Sequence, residues 1–285
     1  QMLIELWVAI VLVAALFSSS KSIIQKHLTE DLDSVQVGQL TSVLGLVFMF
    51  PVGIYGLLEG NNSFGTLAVG GLLFSGVGNI VASYLFIEAV SISDISKISP
   101  IRRLTPMTVA LFEPIFLGIA YSTEILAGAF LTLVGGLLVI SDNGIGKMPK
   151  LDRGLILAPI IPVLYGFMTI AERYATQRIS PFLFTFLIYG IMAVGFSAVC
   201  RYRESTVDRK LFKKPVVLGV GVATSLTSVT TFYALSIVSA SQFTIVKQSS
   251  ILFSVIIGGK LFKEERIAIK ALGSLLIIAG IVLSI

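Results

Sequence analysis

The feature that most constrains this chain is a run of mostly apolar stretches, each about 20 residues long, recurring from end to end. Each is long enough for a helix to cross the hydrocarbon core of a bilayer. Ten are read, at roughly 3–26, 34–57, 66–91, 95–118, 123–141, 154–176, 181–201, 214–237, 240–261 and 267–285. Composition agrees. Only 13% of the 285 residues are charged, half of the roughly 25% usual in soluble domains, and the mean hydropathy is +0.94. The connections are short and leave no room for a soluble domain. The expected fold class is an all-α integral membrane protein with ten transmembrane helices.

Several functions are excluded by what the chain lacks. Cys200 is the single cysteine, so no intramolecular disulfide and no cysteine-based metal cluster is available. His27 is the single histidine, which removes a multi-histidine metal site. No metal or cofactor is expected, and with no nucleophile–base pair or Walker motif the chain is not expected to be an enzyme. The net charge of +5 lies between the apolar spans, where a bilayer explains it better than nucleic acid does. Glu5 is the only charge before Lys21, so no cleavable signal peptide is expected.

The chain reads as two copies of one unit. The end of the first span, SSSKSIIQKHL from Ser18, aligns with YGFMTIAERYA from Tyr165, which sets Gln25 on Glu172. EAVSIS from Glu88 aligns with YALSIV from Tyr233, and GGLLVI from Gly135 with AGIVLS from Ala279. The turn-rich linker around Asn143, Gly144, Gly146 and Pro149 divides the copies, giving repeats at 1–146 and 147–285. A unit of five spans is odd-numbered, so the second copy must enter the membrane inverted. Inverted repeats are a signature of secondary transporters, with a substrate site at the repeat interface near the midplane.

Charge gives the orientation. Of 21 Lys and Arg, fifteen lie in the loops after odd-numbered spans and two, Arg173 and Arg178, after the sixth. Basic loops stay in the cytoplasm, so odd-numbered loops are predicted inside and both termini outside, in the cell membrane.

The remaining four cations lie within spans: Lys21, Arg102, Arg103 and Lys247. An ionised side chain deep in a span costs roughly 2.5 to 3.5 kcal/mol or more and usually faces protein or a watery cavity. Arg102 and Arg103 stand between Pro100 and Pro106, and Lys247 lies 145 residues beyond Arg102, in the matching span. Two cations related in this way can hold an anion between them, Arg best of all, through two parallel hydrogen bonds to phosphate or carboxylate. Adjacent Arg102 and Arg103 point about 100° apart on a helix, so one of them is expected to face a cavity. The competing reading is that these long side chains snorkel to the headgroups.

The stretch around these arginines, DISKISPIRRLT, has the form D-x-S-K-x-x-P-I-x-[RK]-L-[ST]. It resembles the span-4 motif of the EamA type of the drug/metabolite transporter superfamily, through Asp94, Ser96, Lys97, Pro100, Ile101, Arg103, Leu104 and Thr105. Glu264 and Glu265 after the ninth span, and the glycines from Gly273 to Gly280 in the tenth, fit the same resemblance. It covers essentially the whole chain, though only the span-4 motif is specific. It implies a solute carrier working by alternating access around a central cavity between the halves, with spans 5 and 10 peripheral. It implies no particular substrate.

The expected substrate-binding residues are Arg102, Arg103, Lys247, Gln248, Lys21, Tyr84, Asn79, Tyr165 and Tyr233. The gating or coupling residues are Glu88, which can pair with Lys21 or Arg102, and Glu113, placed at a depth similar to Lys247. Glu172 and Asp94 are expected to be solvated at span edges. The function expected is secondary-active transport of a small polar metabolite, with an organic anion, phosphorylated or carboxylated, favoured. The alternatives are an amino-acid or neutral-metabolite exporter with charges as internal locks, and, from another class, a lipid flippase or a non-transporting scaffold. Expected partners are the small-molecule substrate and the lipid bilayer. Coupling to a proton or counter-substrate, and a homodimer, remain open.

Overall fold

The computed structural model describes residues 2–28, 32–60, 62–92, 101–120, 122–140, 153–205, 207–253 and 267–285, and among these every regular element is helical. The first half holds α1 (Met2–Leu28), α2 (Ser34–Leu58), α3 (Thr66–Ile92), α4 (Thr105–Leu117) and α5 (Thr123–Ile140). The second holds α6 (Ile160–Thr176), α7 (Pro181–Tyr202), α8 (Pro215–Ile237), α9 (Ala240–Lys247) and α10 (Ile267–Ser284). Short helical pieces at Arg102–Leu104, Arg153–Leu157 and Arg209–Lys213 join them. Among the described residues, four stretches are long and apolar enough to cross a membrane: Ser34–Leu58, Thr66–Phe86, Pro181–Tyr202 and Pro215–Ile237. Apolar helical stretches in α1, α4, α5 and α10 are shorter.

Local sequence explains where helices start and break. Asp33 opens α2 with a capping box: its carboxylate accepts from the Val35 and Gln36 N–H groups, and the Gln36 side chain accepts from the Asp33 N–H. Two departures from continuous spans come as a matched pair. The fourth span has a 3-10 turn at Arg102–Leu104 before α4 begins, with Pro106 in the first helical turn, where its missing N–H costs no bond. The Asp94–Pro100 part of the motif lies outside the described residues. The ninth span stops at Lys247, where the Gln248 N–H turns back to the Ile245 and Val246 carbonyls, and helix resumes at Ser249. The two interruptions, at Arg103 and Gln248, fall 145 positions apart.

The packing repeats under exchange of each helix for the one five places on. The contacts of α1 with α8, of α2 with α8 and of α4 with α6 become those of α6 with α3, α7 with α3 and α9 with α1. The pairs α2–α7, α4–α9 and α5–α10 map onto themselves. Each of these three runs antiparallel: Gly38 meets Phe196 while Gly45 meets Tyr189, Glu113 meets Ala240 while Arg103 meets Gln248, and Gly128 meets Gly280 while Gly135 meets Gly273.

Helices in a bilayer gain little from hydrophobic burial against one another, so close backbone packing has to hold them. The α5–α10 pair shows it directly. A Cβ at Gly135 would stand 2.5 Å from the Gly273 carbonyl oxygen, and one at Gly128 would stand 2.6 Å from that of Gly280. The outer surface is apolar: Leu58, Val194, Val282, Ile115 and Phe116 are all more than half exposed. Polar side chains such as Ser75, Thr132, Thr185 and Thr224 are fully buried. That inside-out distribution suits a lipid solvent.

Candidate functional site: a cavity between the halves

Two helical faces in equivalent positions build the centre. From α1 come Ser18, Lys21, Ser22 and Gln25, and from α6 come Tyr165, Thr169 and Glu172. Their spacings of three, four and seven put each set on one stripe of its helix. The repeat alignment superposes Ser18 on Tyr165, Ser22 on Thr169 and Gln25 on Glu172. Between the stripes lies a cavity of about 410 Å³, closed laterally by Tyr189 and Met192 of α7, by Thr227, Ser228 and Thr231 of α8, and by the two interrupted spans. The interruptions bring Arg103, Lys247 and Gln248 to its wall.

The wall is strongly polar and unevenly charged. Among the described lining residues, Lys21, Arg103 and Lys247 carry positive charge and Glu172 alone carries negative. Lys247 Nζ donates to Thr231 Oγ1 at 3.3 Å and stands 5.0 Å from the Phe243 ring centroid. Glu172 is buried and accepts a hydrogen bond from the Ser75 hydroxyl of α3, and its charge and that of Lys247 act on one another. Arg103 Nη1 donates to Gln248 Oε1, and Gln248 Nε2 donates to the Arg103 carbonyl, both at 3.4 Å. Tyr189 and Ser228 share a hydroxyl hydrogen bond of 2.6 Å.

Of the residues expected at the site, Lys21, Asn79, Arg103, Tyr165, Lys247 and Gln248 line this one cavity. Tyr84 and Tyr233 do not. Tyr84 is exposed, with the Arg203 guanidinium 5.1 Å from its ring centroid. Tyr233 is exposed too and stacks on Phe182 with centroids 5.9 Å apart. Both point outward because each lies on the far side of its helix from the inner stripe. The side chains of Arg102 and Glu88 lie outside what the structure describes.

Glu113 sits elsewhere than expected. Rather than meeting Lys247, it is buried against the start of α9, accepting from the N–H groups of Ala240 at 2.6 Å and Ser241 at 2.8 Å and from the Ser241 hydroxyl. The reason is the antiparallel run of α4 and α9, which sets the far end of α4 against the N-terminus of α9, about 10 Å along the axis from Lys247. Glu172 corrects the expectation of a solvated span edge, since Ser75 supplies it with a buried donor. The sequence signal for Glu172 was its alignment with Gln25.

Beyond Glu113, further contacts close that end of the bundle. Glu59 accepts from the Ser180 hydroxyl at 2.8 Å, Asn62 Oδ1 from the Ser180 N–H at 2.9 Å, and the Arg178 carbonyl from the Ser63 N–H at 2.7 Å. Arg173 Nη1 donates to the Leu235 carbonyl at 2.6 Å. Toward the opposite end the cavity wall continues through Lys21, Gln25 and Arg103.

A polar, charged chamber enclosed by helices with an apolar outer surface defines a membrane carrier. The chain belongs to the EamA-like transporter family, whose model matches it twice, over residues 5–141 and 152–285. Twenty-nine solved chains match it in structure. One, titled only "Crystal structure of protein", superposes with a TM-score of 0.78 at 16% identity over 98% of this chain and 96% of its own. At that identity the likeness concerns the fold alone. No curated protein matches.

Proposed function

We propose that the protein carries a small organic anion, phosphorylated or carboxylated, across the cell membrane by alternating access between two inverted five-helix halves, 1–146 and 147–285. The observation that carries this reading is the convergence of Lys21, Arg103 and Lys247 on one cavity that holds a single described carboxylate. The volume of about 410 Å³ falls in the range of small-molecule sites. The hydroxyl and amide groups of Ser22, Thr169, Thr231, Asn79 and Gln248 suit the polar remainder of a metabolite. The antiparallel self-paired helices support the inverted relation. With basic loops inside, the end closed by Glu59, Asn62, Glu113 and Ser180 is the outer one.

Glu172 supports one second reading. A cavity lined by one described carboxylate and three cations also matches the ammonium and carboxylate of an amino acid.

Thermal stabilisation of the purified protein tests both. Sugar phosphates, nucleotide sugars, dicarboxylates, amino acids and quaternary amines are compared on wild type and on Arg102→Ala, Arg103→Ala and Lys247→Ala. A ligand at 100 times its dissociation constant adds about 2.7 kcal/mol of stability, readily seen in a melting curve. Stabilisation by anions alone, lost in the variants, is the expected result. Stabilisation by amino acids selects the second reading, and stabilisation by quaternary amines overturns both.

A further inference from the structure

Glu172 is the one described cavity residue whose charge opposes an incoming anion, and it is not idle. Its carboxylate lines the same cavity as Lys247 and their charges act on one another, while the Lys247 ammonium has only Thr231 as a hydrogen-bond partner, at 3.3 Å, among the described residues. Glu172 is held from the other side by the Ser75 hydroxyl, a group able either to donate to a carboxylate or to accept from a carboxylic acid. The position therefore tolerates both protonation states without repacking.

We propose that Glu172 and the transported anion compete for Lys247, so that each anion enters together with a proton taken up by Glu172. In the empty cavity the carboxylate neutralises Lys247. When an anion binds to Lys247 and Arg103, a proton moves from cavity water to a Glu172 oxygen, which removes the like-charge repulsion between carboxylate and substrate. When the anion leaves on the other side, the proton returns to water and Glu172 again neutralises Lys247. No other bond is made or broken. This inference rests on the anion reading above and assigns the coupling carboxylate to Glu172 rather than to Glu113, which is committed to the end of α9.

The surroundings of Glu172 leave it the candidate for this exchange. The same cavity is lined by Lys247 from α9, Lys21 from α1, Arg103 from the turn before α4 and Tyr189 from α7. From α3 come the uncharged Ser75 and Asn79, and from α8 the hydroxyls of Thr227, Ser228 and Thr231. Arg173 beside it on α6 turns the other way, to the Leu235 carbonyl and the charge of Glu113. Among the described lining residues Glu172 is thus the only acid.

The test is titration calorimetry of the purified full chain with malate and with glucose 6-phosphate. The pH is slightly alkaline, where both probes are fully ionised, and two buffers of different ionisation heat are compared. The difference between buffers gives the protons taken up per probe bound. Wild type is expected to take up a substantial fraction of a proton, up to about one. Glu172→Gln is expected to bind several-fold tighter with no uptake, and Lys247→Gln to bind more weakly with uptake lost. Binding by wild type with no proton uptake overturns the coupling while leaving the anion reading intact, and this outcome needs no variant to fold. Equal uptake by Glu172→Gln overturns the assignment to Glu172. Failure of both probes to bind overturns the anion reading, and this inference with it.

Discussion

Arg103 and Gln248, 145 positions apart in the chain, face each other across the meeting point of α4 and α9 and exchange two hydrogen bonds of 3.4 Å. Each lies at the point where its own span is interrupted, so the contact joins two equivalent breaks, one from each half. Bonds of this length are weak. A phosphate or carboxylate offers the guanidinium a stronger, charge-assisted acceptor than the Gln248 amide. Arg103→Ala should therefore weaken binding of an anionic substrate by roughly 10- to 100-fold, the worth of a hydrogen bond to a charged group. Gln248→Ala should cost less than about tenfold. Calorimetric affinities of the two variants check the order, and a larger loss in Gln248→Ala would remove Arg103 from the centre of the site.

Tyrosines discriminate the inner stripe from the outer face. Tyr165→Phe removes a hydroxyl from the cavity wall and should lower affinity. Tyr84→Phe and Tyr233→Phe remove hydroxyls from exposed rings and should stay within about twofold of wild type. A loss at Tyr233 equal to that at Tyr165 would place substrate outside the chamber described.

These three residues also show what the sequence made legible. Apolar runs of about 20 residues fix helices, because a single segment satisfies its own backbone in lipid only as a helix. Internal similarity then pairs Ser18 with Tyr165 and Gln25 with Glu172, and all four line the cavity. Repeat alignment thus carries the face of a helix across from one half to the other. Rotation is another matter where no pattern constrains it. The helices bearing Tyr84 and Tyr233 scatter small polar residues through mostly apolar sequence, so hydrophobic periodicity does not fix which side looks inward. The roles of Glu113 and Glu172 were hidden for a different reason. Both depend on donors distant in sequence, Ser241 for one and Ser75 for the other, and only the packed bundle brings those close.

The α5–α10 contact should behave as a purely structural element. Among the described residues neither helix lines the cavity, and the two backbones touch at Gly128–Gly280 and Gly135–Gly273. Gly135→Val forces a side chain against the Gly273 carbonyl and should destabilise the fold by about 1–3 kcal/mol. Substrate affinity of the folded fraction should be unchanged. A melting curve and a binding isotherm on the same preparation separate the two quantities, and an altered affinity would show that this contact reaches the site.

Glu113 joins the halves through the start of α9. Its carboxylate satisfies two N–H groups that the helix itself leaves without partners, and it carries charge to the positive end of the helix dipole. Glu113→Ala orphans both donors in a buried place and should cost about 1–3 kcal/mol. Glu113→Gln keeps one acceptor oxygen and should fall between. A structural lock to Lys247 would predict something else, since the two residues would then share one interaction. Because Glu113 contacts Ala240 and Ser241 while Lys247 contacts Thr231, the losses from Glu113→Ala and Lys247→Ala should add to within about 0.5 kcal/mol in a double-mutant cycle. A coupling well above that value would mean that the acid and the lysine act as a pair, and that α9 is held at this end by charge rather than by its cap.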